Sequence, residues 1–193
     1  MTHGLAALMT VVLGWELVTA AALQSGPLAV ACLTYVASAF ATFTFSTLSH
    51  LILRQPLLNR LRAWDQAMIY AMISGTYTPI IVRYAGDVRA SLLIAIWVVA
   101  ISGIGAKLFL RHRINNVATV SYLLLGWLPA VPLYGQVPPE LGWGMLLGGV
   151  LYSLGVIVLI NDERFKFLHM IWHLLVMSAA LCHFAVIRWY VVG

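Results

Sequence analysis

The stretch LHMIWHLLVMSAALCHFAVIRWYVV, Leu168–Val192, is interrupted by one formal charge, Arg188. About 20 apolar residues at about 1.5 Å per residue cross the roughly 30 Å hydrocarbon core of a bilayer. The run is longer than that, so it reads as a membrane-spanning helix. It also carries His169, His173 and His183, residue types that lipid does not accept without a reason.

The rest of the chain has the same character. Of its 193 residues 62% are hydrophobic and 9% are charged, and the mean hydropathy is +0.95. Soluble domains hold about 25% charged residues, so a soluble globule, a disordered chain and a disulfide-rich scaffold are excluded. Cys32 and Cys182 both lie in apolar runs, which gives no disulfide framework. The net charge of +5 points to basic loops on one membrane face and not to nucleic acid. Seven apolar stretches are expected as helices: 5–23, 27–53, 64–84, 88–110, 117–134, 141–160 and 168–192. Short connectors and the lack of a repeat or linker predict one domain over residues 1–193. Only helices satisfy every backbone group locally at this apolarity. The first stretch has no basic segment before it and is expected to be retained, not cleaved.

Lys and Arg set the orientation. Arg54, Arg60, Arg62, Lys107, Arg111, Arg113, Arg164 and Lys166 fall on the side shared with the N-terminus, and Arg83, Arg89 and Arg188 fall opposite. Eight against three in short loops places the N-terminus in the cytoplasm and the C-terminus outside.

Ser46 and His50 lie four residues apart at the end of the second helix, and His169 and His173 repeat that spacing at the start of the seventh. Residues at i and i+4 share a helical face. Asp65 opens the third helix at the same end. Topology therefore brings three imidazoles, a carboxylate and a hydroxyl to one depth in the inner leaflet. Three histidines with an open fourth position are the donor set of a catalytic-type zinc site. Glu16 and His183 lie deeper. Glu16 is expected to be protonated or hydrogen-bonded inside the bundle, against a cavity reaching toward the metal, or else to make a single structural hydrogen bond. His183, 14 residues beyond His169, is expected on nearly the same face, pointing inward. Gly144, Gly148, Gly149 and Gly155 read as close-packing positions, as does Gly75 beside a kink at Pro79. His112 reads as a solvated loop residue and His3 as part of a flexible terminus, the alternative being an approach to the cytoplasmic site.

The motifs resemble those of hemolysin III, the bacterial branch of the superfamily that includes progestin and adiponectin receptors and alkaline ceramidases. The resemblance runs through Thr2-His3-Gly4, Ser46-Thr47-Leu48-Ser49-His50, Asp65, Gly75-Thr76-Tyr77-Thr78-Pro79, Gly103-Ile104-Gly105-Ala106-Lys107, Tyr122 with Gly126-Trp127, Gly148-Gly149, Tyr152, Gly155, His169-Met170-Ile171-Trp172-His173 and His183. It implies a seven-helix fold with a cytoplasmic N-terminus in a bacterial inner membrane. It also implies a zinc ion on His50, His169 and His173, with Ser46 and Asp65 beside the metal water. Ser49 stands where many relatives have an aromatic residue, and Gln66 where many have His.

Two classes of function are open on these grounds. The first is a metal-dependent hydrolase of a lipid amide or ester, or a zinc-dependent regulator of membrane lipid state. In the enzyme, Asp65 takes the proton of the attacking water and Ser46 steadies the oxyanion. The alternative is a non-enzymatic, receptor-like regulator with structural zinc, or a pore. A pore needs a continuous polar stripe, and only Glu16 and His183 lie deep. The expected partners are membrane lipids, including a lipid substrate, and not nucleic acid.

Overall fold

A computed structural model describes residues 2–109, 115–161, 164 and 166–193. The reading of His112, with Arg111 and Arg113, lies outside the described residues. The elements are all helical: α1 (Thr2–Ala22), α2 (Gly26–Leu51), α3 (Leu57–Tyr84), α4 (Arg89–Phe109), α5 (Asn115–Trp127), the single turn α6 (Ala130–Leu133), α7 (Pro139–Leu159) and α8 (Leu168–Val186). The chain ends in a π-helical turn, Ile187–Val192.

Local chemistry sets the boundaries. Ser25 caps α2 by accepting the Leu28 N–H at 3.3 Å, and Pro27 occupies the first turn, where its missing N–H costs nothing. Pro138 and Pro139 open α7 in the same way. Gly86, directly after the α3 cap Ala85, opens a short turn at φ +50°, a conformation a side chain disfavours.

Five of the described helices are long and apolar enough to cross a membrane: α1, α2, the stretch Gly86–Phe109 containing α4, α7, and Leu168–Val192. The sequence reading also expected spans at α3 and at α5–α6. Thr119–Leu133 is a shorter apolar helix. α3 begins with Arg60, Arg62, Asp65 and Gln66 and carries Ser74, Thr76 and Thr78. Its packing accounts for this polarity, because α3 lies between α2 and α4 and also meets α5 and the C-terminal turn. A helix covered by protein has no lipid face to keep apolar. Its hydroxyls are satisfied locally: Ser74 donates to the Ile96 carbonyl at 3.1 Å, Thr76 to Met72 at 2.8 Å and Thr78 to Ser74 at 2.7 Å. Tyr77 reaches the Gly126 carbonyl at 2.5 Å, tying α3 to α5. Pro79 is buried within an unbroken α3.

The ring of helices closes where α8 packs on α1 and α7, and α7 on α5. The expected close-packing glycines lie on that seam. A Cβ on Gly148 would sit 2.1 Å from His183 Nε2, and one on Gly155 would sit 2.9 Å from the Trp172 ring. Gly75 plays the same part between α3 and α2, 2.7 Å from Ser38 by the same measure. Away from the site, Leu17, Cys32, Tyr35, Tyr77, Ile80, Ile81 and Ile187 form the main core. Tyr84 donates to the Tyr190 carbonyl and Gln24 to that of Val192, fastening the C-terminal turn.

Candidate metal centre

The C-terminal end of α2 and the N-terminal ends of α1, α3 and α8 meet at one end of the bundle, and every expected site residue is found there. His50 Nε2 lies 2.9 Å from His169 Nε2, which lies 3.0 Å from His173 Nε2. The three donor atoms all fall within 4.8 Å of one another. Their rings are not stacked on each other: His50 and His173 stand at 86° with centroids 5.0 Å apart, and His169 is tilted to both.

The tautomer of His50 follows from its partner. Its Nδ1 lies 2.7 Å from the Ser46 carbonyl oxygen, which can only accept, so Nδ1 carries the proton and Nε2 offers a lone pair. A hydrogen bond from the outer nitrogen is the usual way a metal-ligating histidine is oriented. Tetrahedral zinc with Zn–N of about 2.0–2.1 Å needs nitrogens about 3.3 Å apart. Two of the separations, 2.9 and 3.0 Å, approach that edge, and all three atoms lie within 4.8 Å of one another. The three imidazoles lie close enough to bind a metal ion, and the residues that would hold it are His50, His169 and His173.

Asp65 and Ser46 flank this triad without joining it. Asp65 accepts from the Ser49 hydroxyl at 2.9 Å, and that same hydroxyl lies 3.1 Å from His50 Nδ1. Ser46 is 5% exposed, with its Oγ 2.8 Å from His3 Nδ1.

Sequence reasoning undervalued two residues. Ser49 registered only as a departure from the motif, yet it links Asp65 to His50. His3 was expected in a flexible terminus, but α1 begins at Thr2 and His3 is 5% exposed. Its ring stacks on His173, with centroids 3.9 Å apart and 21° between planes, and meets Phe43 edge-on at 5.3 Å. The signal was present in Thr2-His3-Gly4, but a lone residue at a terminus has no partner at helical spacing. Gln66, the other departure, lies off the site and accepts from Lys107 Nζ at 3.1 Å.

The deeper residues divide. His183 points inward as expected, 6% exposed, and its Nε2 donates to the Met145 carbonyl at 3.2 Å. Glu16 does not line an internal cavity. Its side chain is 57% exposed and pairs with Arg188 at 3.0 Å on the outer face of the bundle. Position along a helix fixes depth and not direction, and Arg188 supplies the partner that the carboxylate needs.

Two hollows lie in this part of the bundle, and the first of them borders the triad. One, of about 200 Å³, is lined by His3, Ser46, Thr47, His50, Leu51 and His173. The other, of about 250 Å³, is an apolar groove among α1, α2, α3 and α8 that includes Tyr35, Phe43, Met177 and Phe184. Phe43 connects them, since it borders the groove and packs against His3.

Residues 1–184 match the haemolysin-III-related family. The chain is 35% identical over 196 residues to Hemolysin-3 of Bacillus cereus, covering 98% of this chain and 89% of that protein. It is 32% identical over 197 residues to the Hemolysin-3 homolog of Bacillus subtilis (strain 168), covering 99% and 92%. It is also 29% identical over 121 residues to the Monocyte to macrophage differentiation factor of Homo sapiens, covering 62% of this chain and 51% of that protein. The chain is thus an integral membrane protein that belongs to the haemolysin-III-related family.

Proposed function

We propose that the chain is a zinc-dependent hydrolase of a lipid amide or ester, or a zinc-dependent regulator of membrane lipid state, working at the cytoplasmic leaflet of a bacterial inner membrane. The observation that carries this reading is the convergence of the His50, His169 and His173 Nε2 atoms beside a hollow. The reading includes seven spans, the N-terminus in the cytoplasm and the C-terminus outside. Support for seven comes from the places of α3 and α5 in the ring, since protein cover removes the need for an apolar surface. Support for the orientation comes from the excess of Lys and Arg in the connectors on the site's side.

A zinc ion held by the triad would supply a Lewis acid and lower the pKa of a bound water to roughly 7. Asp65, which accepts from Ser49, would take the proton of the attacking water and return it to the leaving group. Ser46 would offer its hydroxyl to the developing oxyanion. The apolar groove that ends at Phe43 suits an acyl chain entering from the bilayer, with its carbonyl at the triad. A structural site fills its fourth position, whereas His50 is exposed and borders the hollow. This favours the enzyme over the structural-zinc regulator. A pore gains no support from Glu16, which faces outward.

The test is metal analysis of the detergent-purified chain and its His173→Ala variant, with release of fatty acid from amide- and ester-linked lipids in vesicles. About one zinc per chain in the parent, lost in the variant together with turnover, is the expected result. Equal zinc in both, or none in the parent, overturns the reading.

A further inference from the structure

The seam between α1 and α8 is fastened at its two ends and open between them. At the triad's end the His3 and His173 rings stack, with centroids 3.9 Å apart. At the other end Glu16 of α1 pairs at 3.0 Å with Arg188, in the turn that continues α8. Between these ties the helices part around the apolar groove of about 250 Å³, walled by Ala6, Met9 and Leu13 of α1 and by Met177, Leu181 and Phe184 of α8. Glu16 lies three residues beyond Leu13 and Arg188 four beyond Phe184, so each charge continues the helical stripe that walls the groove. The ion pair therefore heads the groove. It is also not a closed unit, since Glu16 is 57% and Arg188 26% exposed. Both contacts from Arg188 fall on Glu16 Oε1, which leaves Oε2 to accept elsewhere. Of the five guanidinium N–H groups, Nε and Nη2 serve Glu16 and Nη1 serves the Gly193 carbonyl, so two donors remain. Trp15 and Trp189, each next in sequence to one member of the pair, are 75% and 66% exposed. Exposed indole rings of this kind sit at headgroup level, which puts the pair among lipid heads and the groove among lipid tails.

We infer that this end of the seam binds one zwitterionic phospholipid of the phosphatidylethanolamine class, with its ammonium on Glu16, its phosphate on Arg188 and one acyl chain in the groove. The ammonium brings N–H donors to a carboxylate with an oxygen to spare, and the phosphate accepts from the two remaining guanidinium N–H groups. An anionic head without an amine satisfies Arg188 alone and sets its charge against Glu16. On the α8 side the groove runs from Leu174 to Phe184, about 15 Å at about 1.5 Å per residue, which suits part of one chain and not a second helix. On the proposed topology the lipid belongs to the outer leaflet. No atom of the triad takes part, so the inference stands apart from the zinc reading. The lipid's tail and an acyl chain reaching from the triad compete for one groove.

The experiment is native mass spectrometry of the full chain in detergent, titrated with dimyristoylphosphatidylethanolamine or with dimyristoylphosphatidylglycerol, which has the same chains and phosphate but no amine. The variants are Glu16→Gln, Ser178→Phe, which fills the groove and leaves the ion pair alone, and Val98→Phe on the exposed face of α4 as a control. The parent is expected to hold one phosphatidylethanolamine several times more tightly than phosphatidylglycerol. Glu16→Gln is expected to weaken the amine-bearing lipid roughly tenfold, the usual size of a charge-assisted hydrogen bond, without weakening phosphatidylglycerol. Ser178→Phe is expected to weaken both lipids and Val98→Phe neither. Equal affinity of the parent for the two lipids overturns the inference, because binding is then annular only. So does a Glu16→Gln chain that keeps the parent's preference, or a Ser178→Phe chain that keeps the parent's affinity. A lipid-free dimer that Glu16→Gln dissociates gives this face to a second copy and overturns it as well. None of these readouts depends on zinc, so a parent chain without zinc overturns the metal reading and leaves this test intact.

Discussion

The Ser49 hydroxyl donates to the Asp65 carboxylate at 2.9 Å across the connection from α2 to α3. It has one proton and a second acceptor in reach, the Ser46 carbonyl at 2.9 Å, and an ionised carboxylate is the stronger of the two. Ser49 thereby fixes Asp65 beside His50 without touching the triad's Nε2 atoms. Asp65→Asn is expected to keep its zinc and lose turnover by a factor of roughly 10²–10⁴, the usual share of a general base. Ser49→Ala is expected to keep zinc and lose less. Metal analysis alongside the lipid-hydrolysis rate checks both, and loss of zinc in Asp65→Asn would show that Asp65 is a ligand.

Each of His50→Ala, His169→Ala and His173→Ala is expected to lower zinc content sharply. Zinc should also raise thermal stability, because a ligand that binds only the folded state stabilises by about 2.7 kcal/mol at a hundred times its Kd. The unfolding midpoint of the parent should therefore drop on chelation, while those of the three variants should not move. Near-stoichiometric zinc in all three variants counts against the assignment.

The seam between α7 and α8 makes a prediction that is independent of any metal. A Cβ on Gly148 would meet His183 Nε2 at 2.1 Å, whereas one on Gly105 meets nothing within 4 Å. Gly148→Ala is expected to destabilise by about 1–3 kcal/mol through overpacking. Gly105→Ala is expected to stabilise by about 0.5–1 kcal/mol through helix propensity. Unfolding midpoints in one detergent settle the comparison, and equal midpoints for the two variants refute it.

Seven spans put the connector holding Arg54 and the one holding Asp87 on opposite sides of the membrane. In a chain with Cys32 and Cys182 replaced by alanine, Arg54→Cys should react with an impermeant maleimide only in inside-out vesicles, and Asp87→Cys only in right-side-out vesicles. Labelling of both from the same side contradicts the topology.

Helix positions were legible because apolar runs bounded by Gly, Pro and basic residues leave little choice inside a bilayer. The triad was legible because two i, i+4 pairs sit at helix ends that an alternating up-and-down path brings together. What the sequence withheld was direction around each helix and the fate of isolated residues. Glu16 was expected inside the bundle and instead faces outward, since its partner Arg188 lies on a helix 172 residues away. His3 has no periodic partner, and its place became visible only when α1 was packed against α2 and α8. The polarity of α3 could not be turned into a position until its neighbours on every side were known.

The histidines that converge at this site are far apart in the order of synthesis: 119 residues separate His50 from His169. Through the insertion of the earlier helices the chain has one of the three donors and no means of completing the set. On the proposed reading of the triad, a cation is captured only when α8 arrives to close the ring against α1 and α7. Metal uptake would then report on completed assembly, and a chain cut short before Leu168 would keep most of its hydrophobic mass with His50 as its sole member of the triad.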